Sequence, residues 1–131
     1  MPVNDTEINT IIKDENGMQT LVKKSDEFAK ELKASGLTTS QIRALFGEVR
    51  QIEAEWKDQR AIAFRRLVLL QPKMAYRARS GEAVKALVYV LDKALKLVVN
   101  ANTEDQQNTY FKHFVEFFEA ILAYHKYHGG K

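Results

Sequence analysis

Cysteine is absent from the 131-residue sequence, which also has only two prolines and six glycines. Without cysteine there are no disulfides, thiolate metal ligands or cysteine nucleophiles, a composition that suits a reducing interior. Few helix-breaking residues, in a chain rich in Ala, Leu, Lys, Glu and Gln, favour helices over strands joined by tight turns. We therefore predict an all-α fold, a compact single-domain bundle of about five to six helices.

Long apolar runs are also missing. No stretch approaches the roughly 18 apolar residues of a membrane-spanning helix. The first ten residues, MPVNDTEINT, are polar and acidic and lack the apolar centre of a signal peptide. We expect a cytoplasmic protein with no membrane partner.

Motifs that carry catalysis or bind cofactors are not found. The sequence contains no GxGxxG, Walker loop, GxSxG or paired-carboxylate motif. All its histidines, His113, His125 and His128, lie beyond residue 112, and no arginine precedes them at the spacing of a helical Arg-x4–6-His ribonuclease. His125 and His128 have helical spacing but no HExxH pattern. We expect no enzyme activity, cofactor, metal or small-molecule substrate, and structural roles for the histidines.

Positive charge is concentrated in one part of the chain. Residues 59–99 carry nine Lys and Arg against two acids, and residues 59–81 carry six bases and no acid. By contrast, residues 1–20 carry one lysine and four acids, and residues 21–58 have seven charges of each sign. An acid-free basic block repels itself and usually exists to meet an anion.

Apolar spacing predicts where the helices lie. Residues 20–35 and 39–57 show amphipathic periodicity, with Gly36 as a stop signal and Thr38 with Gln41 at capping-box spacing. A helix at 59–70 is expected to end at Pro72, followed by a short helix at 73–80. Two long helices complete the pattern, at 82–99 and from Thr103 to about Tyr127.

The first residues of the chain lack clear helical periodicity. We therefore predict a flexible N-terminal tail at 1–19 and a helical domain at 20–131.

The last helix has more apolar surface than one core face requires. Tyr110, Phe117 and Tyr124, seven residues apart, form a second stripe beside the inward-facing residues. One interpretation is that this helix is central and buried on several sides. The other is that the stripe packs against another subunit.

Several stretches together resemble one protein family. These are FAKELKASGLTTSQIRALFGEVRQIE at 28–53, LQPKMAYRARS at 70–80, the leucine-rich helix at 84–99 and KHFVEFFEAILAYHKYHGGK at 112–131. In this order they are similar to the small subunit of the type III-A CRISPR effector (Csm) complex. The final aromatic-rich helix is the most specific of them, and the first 20 residues are not covered.

The resemblance implies a helical, non-catalytic subunit that acts in antiviral defence. Its partners would be crRNA and target RNA, other Csm subunits and copies of itself, in a filament or dimer. Contact with RNA would run through basic side chains without reading sequence, while cutting belongs to other subunits.

The basic block supplies the candidate RNA contacts. Lys and Arg bind phosphates without sequence preference, and a neighbouring aromatic ring can stack on a base. The predicted RNA-binding residues are Arg43, Arg50, Arg65, Arg66, Lys73, Tyr76, Arg77 and Arg79. For Arg65 and Arg66 the alternative is a salt bridge to Glu48 or Glu53. For Tyr76 it is a place in the core, and for Arg43 and Arg50 an ordinary solvated face.

Two other functions compete with RNA binding. Helices 20–35 and 39–57 could form a helix-turn-helix of a DNA-binding regulator, although the second helix carries Glu48, Glu53 and Glu55. The protein could also be a helical adaptor whose arginine-rich block meets an acidic protein.

Overall fold

The computed structural model describes residues 3–131, and within them the chain forms six α-helices, a 3-10 turn and no strand. This confirms the predicted all-α bundle in one domain. The elements are α1 (Asp5–Lys13), α2 (Met18–Ala34), α3 (Thr39–Trp56), α4 (Arg60–Arg77), the 3-10 turn (Ala78–Ser80), α5 (Glu82–Val99) and α6 (Glu104–Tyr127).

Local signals set several helix boundaries where they were predicted. The Thr38 hydroxyl accepts a hydrogen bond from the Gln41 amide (3.2 Å), and the Gln41 side chain accepts one from the Thr38 amide (3.0 Å), which completes the capping box of α3. Gly36, just after α2, has a φ of +95°, a conformation that glycine adopts without strain. At the start of α6, the Thr103 hydroxyl accepts from the Gln106 amide at 3.1 Å.

Helix α6 lies at the centre of the bundle, packed against α1, α2, α3 and α5. Phe114, Phe117 and Phe118 are fully buried on it. The Trp56 ring, at the end of α3, stacks on Phe111 with 4.1 Å between ring centroids. The interpretation of a central helix buried on several sides is therefore the one the structure supports.

The N-terminal segment contains a helix, although no clear helical periodicity was recognised there. Residues 5–13 form α1, whose Ile8, Ile11 and Ile12 are buried against α5 and α6. These isoleucines have i, i+3, i+4 spacing, and Asn4 with Glu7 forms a capping box, so the signal was present in a mostly polar stretch. The predicted boundary at residue 20 falls inside α2. Residues 1 and 2 of the predicted tail lie outside the described residues.

The predicted break at Pro72 is wrong, because α4 continues through it to Arg77. A proline inside a helix costs about 3 kcal/mol, since it removes one hydrogen bond and crowds the preceding turn. Leu70 and Met74, on either side of Pro72, are buried. Burying each such side chain contributes about 1.5–3 kcal/mol, enough to offset the proline. Pro72 itself is exposed.

Candidate nucleic-acid interface

Helix α4 presents the basic block on two of its sides. Its buried side consists of Ala63, Leu67, Leu70 and Met74. Because a helix turns about 100° per residue, Arg66, Lys73 and Arg77 share the side next to α3, while Arg65 lies on the outer side. The buried apolar residues thus anchor α4, and Arg65, Arg66, Lys73 and Arg77 lie away from its buried side.

An open groove lies between α3 and the C-terminal half of α4. Its volume is about 540 Å³, and it is lined by Leu45, Glu48, Leu70, Pro72, Lys73, Tyr76, Arg77 and Ser80. Three of the predicted RNA-binding residues, Lys73, Tyr76 and Arg77, therefore come together here. Leu45 and Glu48 were not predicted, because only the packing of α3 against α4 brings them to the groove. Ser80, at the end of the 3-10 turn, was not predicted either.

Tyr76 is 70% exposed at the edge of this groove. The guanidinium of Arg79 lies 5.5 Å from the centroid of its ring, a cation–π distance. The alternative of a core tyrosine is excluded by this exposure. An exposed ring beside a cation can stack on a base while the cation holds a phosphate.

Glu48 stands among the cations of the groove. One of its carboxylate oxygens lies 3.5 Å from Lys73 Nζ and 3.5 Å from a terminal nitrogen of Arg66. Arg66 also donates to Glu55 at 2.5 Å and to Gln51 at 2.6 Å. Arg66 therefore forms the salt bridge that was the alternative to RNA contact. Its partners are Glu48 and Glu55, and not Glu53. Among the described residues, Lys73 is paired only with Glu48, at this long distance.

The other predicted arginines differ in how they are paired. Arg50 donates to Glu53 at 2.8 Å and to Glu119 on α6, so both partners neutralise it. Arg43, Arg65, Arg77 and Arg79 form no ion pair with any residue in the range 3–131. Arg43 is exposed in the first turns of α3 and does not line the groove. The unpaired cations nearest the groove are Arg77 and Arg79.

The predicted subunit-interface stripe on α6 is largely internal. Phe117 is completely buried, which corrects its assignment as a contact with another subunit. Tyr110 and Tyr124 are partly buried and pack against the core. The apolar side chains that the structure does expose include Ile62 and Leu69 on α4, and Met18 and Val22 on α2.

A second exposed tyrosine was missed by the sequence analysis. Tyr89, on α5, is 50% exposed, and Lys93 Nζ lies 4.9 Å from its ring centroid. The available signal was the spacing of Lys85, Tyr89 and Lys93, which places all three on one helix face.

The histidines bond within the fold. His125 is buried and its Nε2 lies 2.7 Å from the Leu37 carbonyl oxygen, and His113 Nδ1 lies 2.8 Å from the Ile12 carbonyl oxygen. His128 Nε2 lies 2.5 Å from Asp26. Within residues 3–131, no group of three or more His, Asp or Glu side chains is arranged to hold a metal ion. None of the helices in this range is both long and apolar enough to cross a membrane.

Comparison with known proteins agrees with the resemblance seen in the sequence. The family model described as Csm2 Type III-A matches residues 15–131, which is all of the chain from the α1–α2 connection onward. No curated protein and no solved structure matches the chain.

Proposed function

The chain belongs to the Csm2 Type III-A family, the small subunits of the type III-A CRISPR (Csm) complex, and we propose that its part there is to hold RNA without cutting it. The bound strands would be crRNA and target RNA, and contact would be to the phosphate backbone. Other Csm subunits and further copies of this chain would complete the assembly.

The observation that carries this proposal is the grouping of Lys73, Tyr76, Arg77 and Arg79 at the end of α4. Their side chains belong to exposed residues, and two of the cations, Arg77 and Arg79, form no ion pair within the described residues. Exposed cations release counterions when they bind phosphates, and every nucleotide offers the same phosphate. Stacking on Tyr76 is also tolerant of sequence, because every base has a π face.

The binding should therefore depend on salt and not on sequence. The test is a titration of the purified chain with single-stranded RNA at several salt concentrations. Lys73→Ala with Arg77→Ala should weaken binding equally for different sequences, and the salt slope should fall by about 0.7 for each phosphate that the variant no longer neutralises.

A matched control removes the same charge elsewhere. Lys30 and Lys33 are exposed on α2, so Lys30→Ala with Lys33→Ala keeps the net charge of the test variant. If both double variants bind RNA equally well, the groove is not the site. Tighter binding of duplex DNA than of RNA would instead support the helix-turn-helix interpretation.

Self-association is the second part of the proposal, and we assign it to the outer face of α4. Ile62 and Leu69 are 52% and 46% exposed there, with the unpaired Arg65 between them. On α2, Met18 and Val22 are similarly exposed, and the acidic Asp14 and Glu15 come just before them. Arg65, beside the α4 patch, is positive, whereas Asp14 and Glu15, beside the α2 patch, are negative.

Two different apolar patches with neighbouring charges of opposite sign favour head-to-tail association, in which α4 of one copy contacts α2 of the next. Such heterologous contacts build rings or open arrays and not two-fold dimers. In this arrangement Arg65 contacts protein, whereas Lys73 and Arg77 remain with the RNA.

Charge reversal tests the contact by sedimentation velocity. Arg65→Glu and Glu15→Lys should each weaken self-association, because each places like charges opposite one another. An equimolar mixture of the two variants should associate again, since every contact in an alternating array is then complementary. A mixture that stays as dissociated as the separate variants would refute this assignment.

A further inference from the structure

The outer face of α5 carries a second basic and aromatic cluster. Lys85, Tyr89, Lys93 and Lys96 follow helical spacing, and Lys85 has no ion pair among the described residues. A cavity of about 340 Å³ is lined by Ala78, Lys85, Val88, Tyr89, Asp92, Lys93 and Lys96. Its composition repeats that of the α3–α4 groove, an exposed tyrosine with a cation against its ring.

The 3-10 turn joins this cavity to the α3–α4 groove. Ala78 lines the cavity on α5, while Arg77 and Ser80, its near neighbours in sequence, line the groove. Arg79 lies between them in the chain, with its guanidinium against Tyr76. The two basic clusters are therefore neighbouring parts of one surface.

The N-terminal end of α1 lies over the far side of the α5 cluster. The Asp5 carboxylate oxygens are 3.2 and 3.3 Å from Lys93 Nζ, and a shallow cavity there is lined by Val3, Asn4, Asp5, Thr6 and Tyr89. The Asp5 carboxylate raises the pKa of Lys93. The Asp5 side chain is 70% exposed, so water and other anions reach this ion pair.

We propose that Lys85, Tyr89 and Lys93 form a second RNA-backbone site that continues the α3–α4 groove across the 3-10 turn. In the free protein Lys93 is paired with Asp5, and a phosphate of the bound RNA replaces the Asp5 carboxylate. The proposal rests on the proposed RNA-binding function and extends it. Exposed ion pairs are weak, so a phosphate on a strand already held in the groove can displace the Asp5 carboxylate. A half-exposed tyrosine beside lysines gives the next base a surface on which to stack.

The experiment compares two variants that break the same ion pair. Asp5→Asn frees Lys93, so RNA affinity should rise roughly 1.4- to fivefold, the range that an exposed ion pair is worth. Lys85→Ala with Lys93→Ala should lower affinity and the salt slope. Any loosening of α1 is common to both variants, so opposite changes in affinity identify a binding site and not a change in stability.

Oligouridylates of increasing length are the probe, measured by fluorescence anisotropy with the full-length chain. The gain in affinity from Asp5→Asn and the loss from the Lys85/Lys93 variant should be confined to oligonucleotides long enough to extend beyond the α3–α4 groove to α5. Glu31→Gln, which removes an exposed acid on α2, is the control for net charge and should leave affinity within the error of the wild type.

The outcomes separate this inference from the proposed function. If Lys73→Ala with Arg77→Ala weakens RNA binding while the Asp5 and Lys85/Lys93 variants match the wild type at every length, the extension is overturned and the groove remains. If the wild type binds no RNA at any length, both are overturned.

Discussion

Gly129 and Gly130 end α6 for two different reasons, although the sequence presents them as one stop signal. Gly129 has a φ of +89°, which a side chain rarely adopts. Gly130 is buried against the ring of His125, and a Cβ added to it would lie 2.1 Å from Cε1 of that ring. Its amide donates to the His125 carbonyl at 2.8 Å. Packing, and not backbone conformation, requires glycine at 130.

Gly130→Ala should therefore lower the free energy of unfolding by about 1–3 kcal/mol, the usual cost of forcing extra volume into a packed site. Gly47 offers the matched comparison, because it lies inside α3 with no atom within 4 Å of an added Cβ. Gly47→Ala should raise the free energy of unfolding by about 0.5–1 kcal/mol, through helix propensity. Urea unfolding measures both, and equal effects of the two substitutions would contradict this account of Gly130.

The sequence could not show which cations of the candidate site are already paired with acidic residues. Lys73, Tyr76, Arg77 and Arg79 can be found from composition and spacing alone. Which cations are already neutralised depends on partners elsewhere in the chain. Arg66 meets Glu55, 11 residues away, and Arg50 meets Glu119, 69 residues away.

At the scale of helices, α1 shows how a short element depends on its surroundings. Nine residues make a marginal helix in water, so α1 needs its capping box and its buried isoleucines. The Asn4 amide donates to Glu7 at 2.9 Å and Lys24 Nζ lies 2.9 Å from the other Glu7 oxygen. The hydrogen bond from Asn4, and then Lys24, lower the pKa of Glu7.

The attachment of α1 should weaken in acid. Because the pKa of Glu7 is lower in the folded chain, its contribution to stability is complete above the ordinary glutamate pKa of about 4.3 and is lost as pH falls through the lowered value. Amide hydrogen exchange should show α1 losing protection before α6 in that range. Glu7→Gln should make the protection of α1 less dependent on pH, and an unchanged pH dependence would contradict this role. The same measurement tests the mobility predicted for residues 1–19.

In α4, tertiary packing overrides a local signal that would end the helix. Pro72 is a strong local reason to end a helix, yet Leu70 and Met74 carry α4 past it. This continuation keeps Lys73 and Arg77 on the α3 side of one helix. Had the chain broken at Pro72, the basic block would have been divided between two elements.

On the scale of the whole molecule, the bundle is organised around α6, against which α1, α2, α3 and α5 pack. Trp56 reports on this centre, because it stacks on Phe111 and its indole N–H donates to Asn108 at 2.9 Å. Arg60 adds a contact from α4, with its guanidinium 4.5 Å from the Trp56 ring centroid and 2.9 Å from Glu104.

Since these interactions join α3 and α4 to the central helix α6, urea unfolding should be a single transition. Trp56 fluorescence and far-UV circular dichroism should give the same midpoint. Two separated midpoints would mean that α1 or another helix unfolds independently of the α6 core. Arg60→Ala should shift both midpoints together, because it removes interactions within the same cooperative unit.

The sequence by itself determined the helical class, the positions of α2, α3, α5 and α6, the basic block and the family resemblance. These depend on signals within continuous stretches of the chain, such as capping boxes, apolar spacing, local charge and the stretches at 28–53 and 112–131. Tertiary structure alone decided that α1 packs on the bundle, that α4 passes Pro72, that Phe117 is internal and that Glu48, Glu55 and Glu119 neutralise particular arginines. Burial and ion pairing join residues distant in sequence, so they arise only when the helices pack.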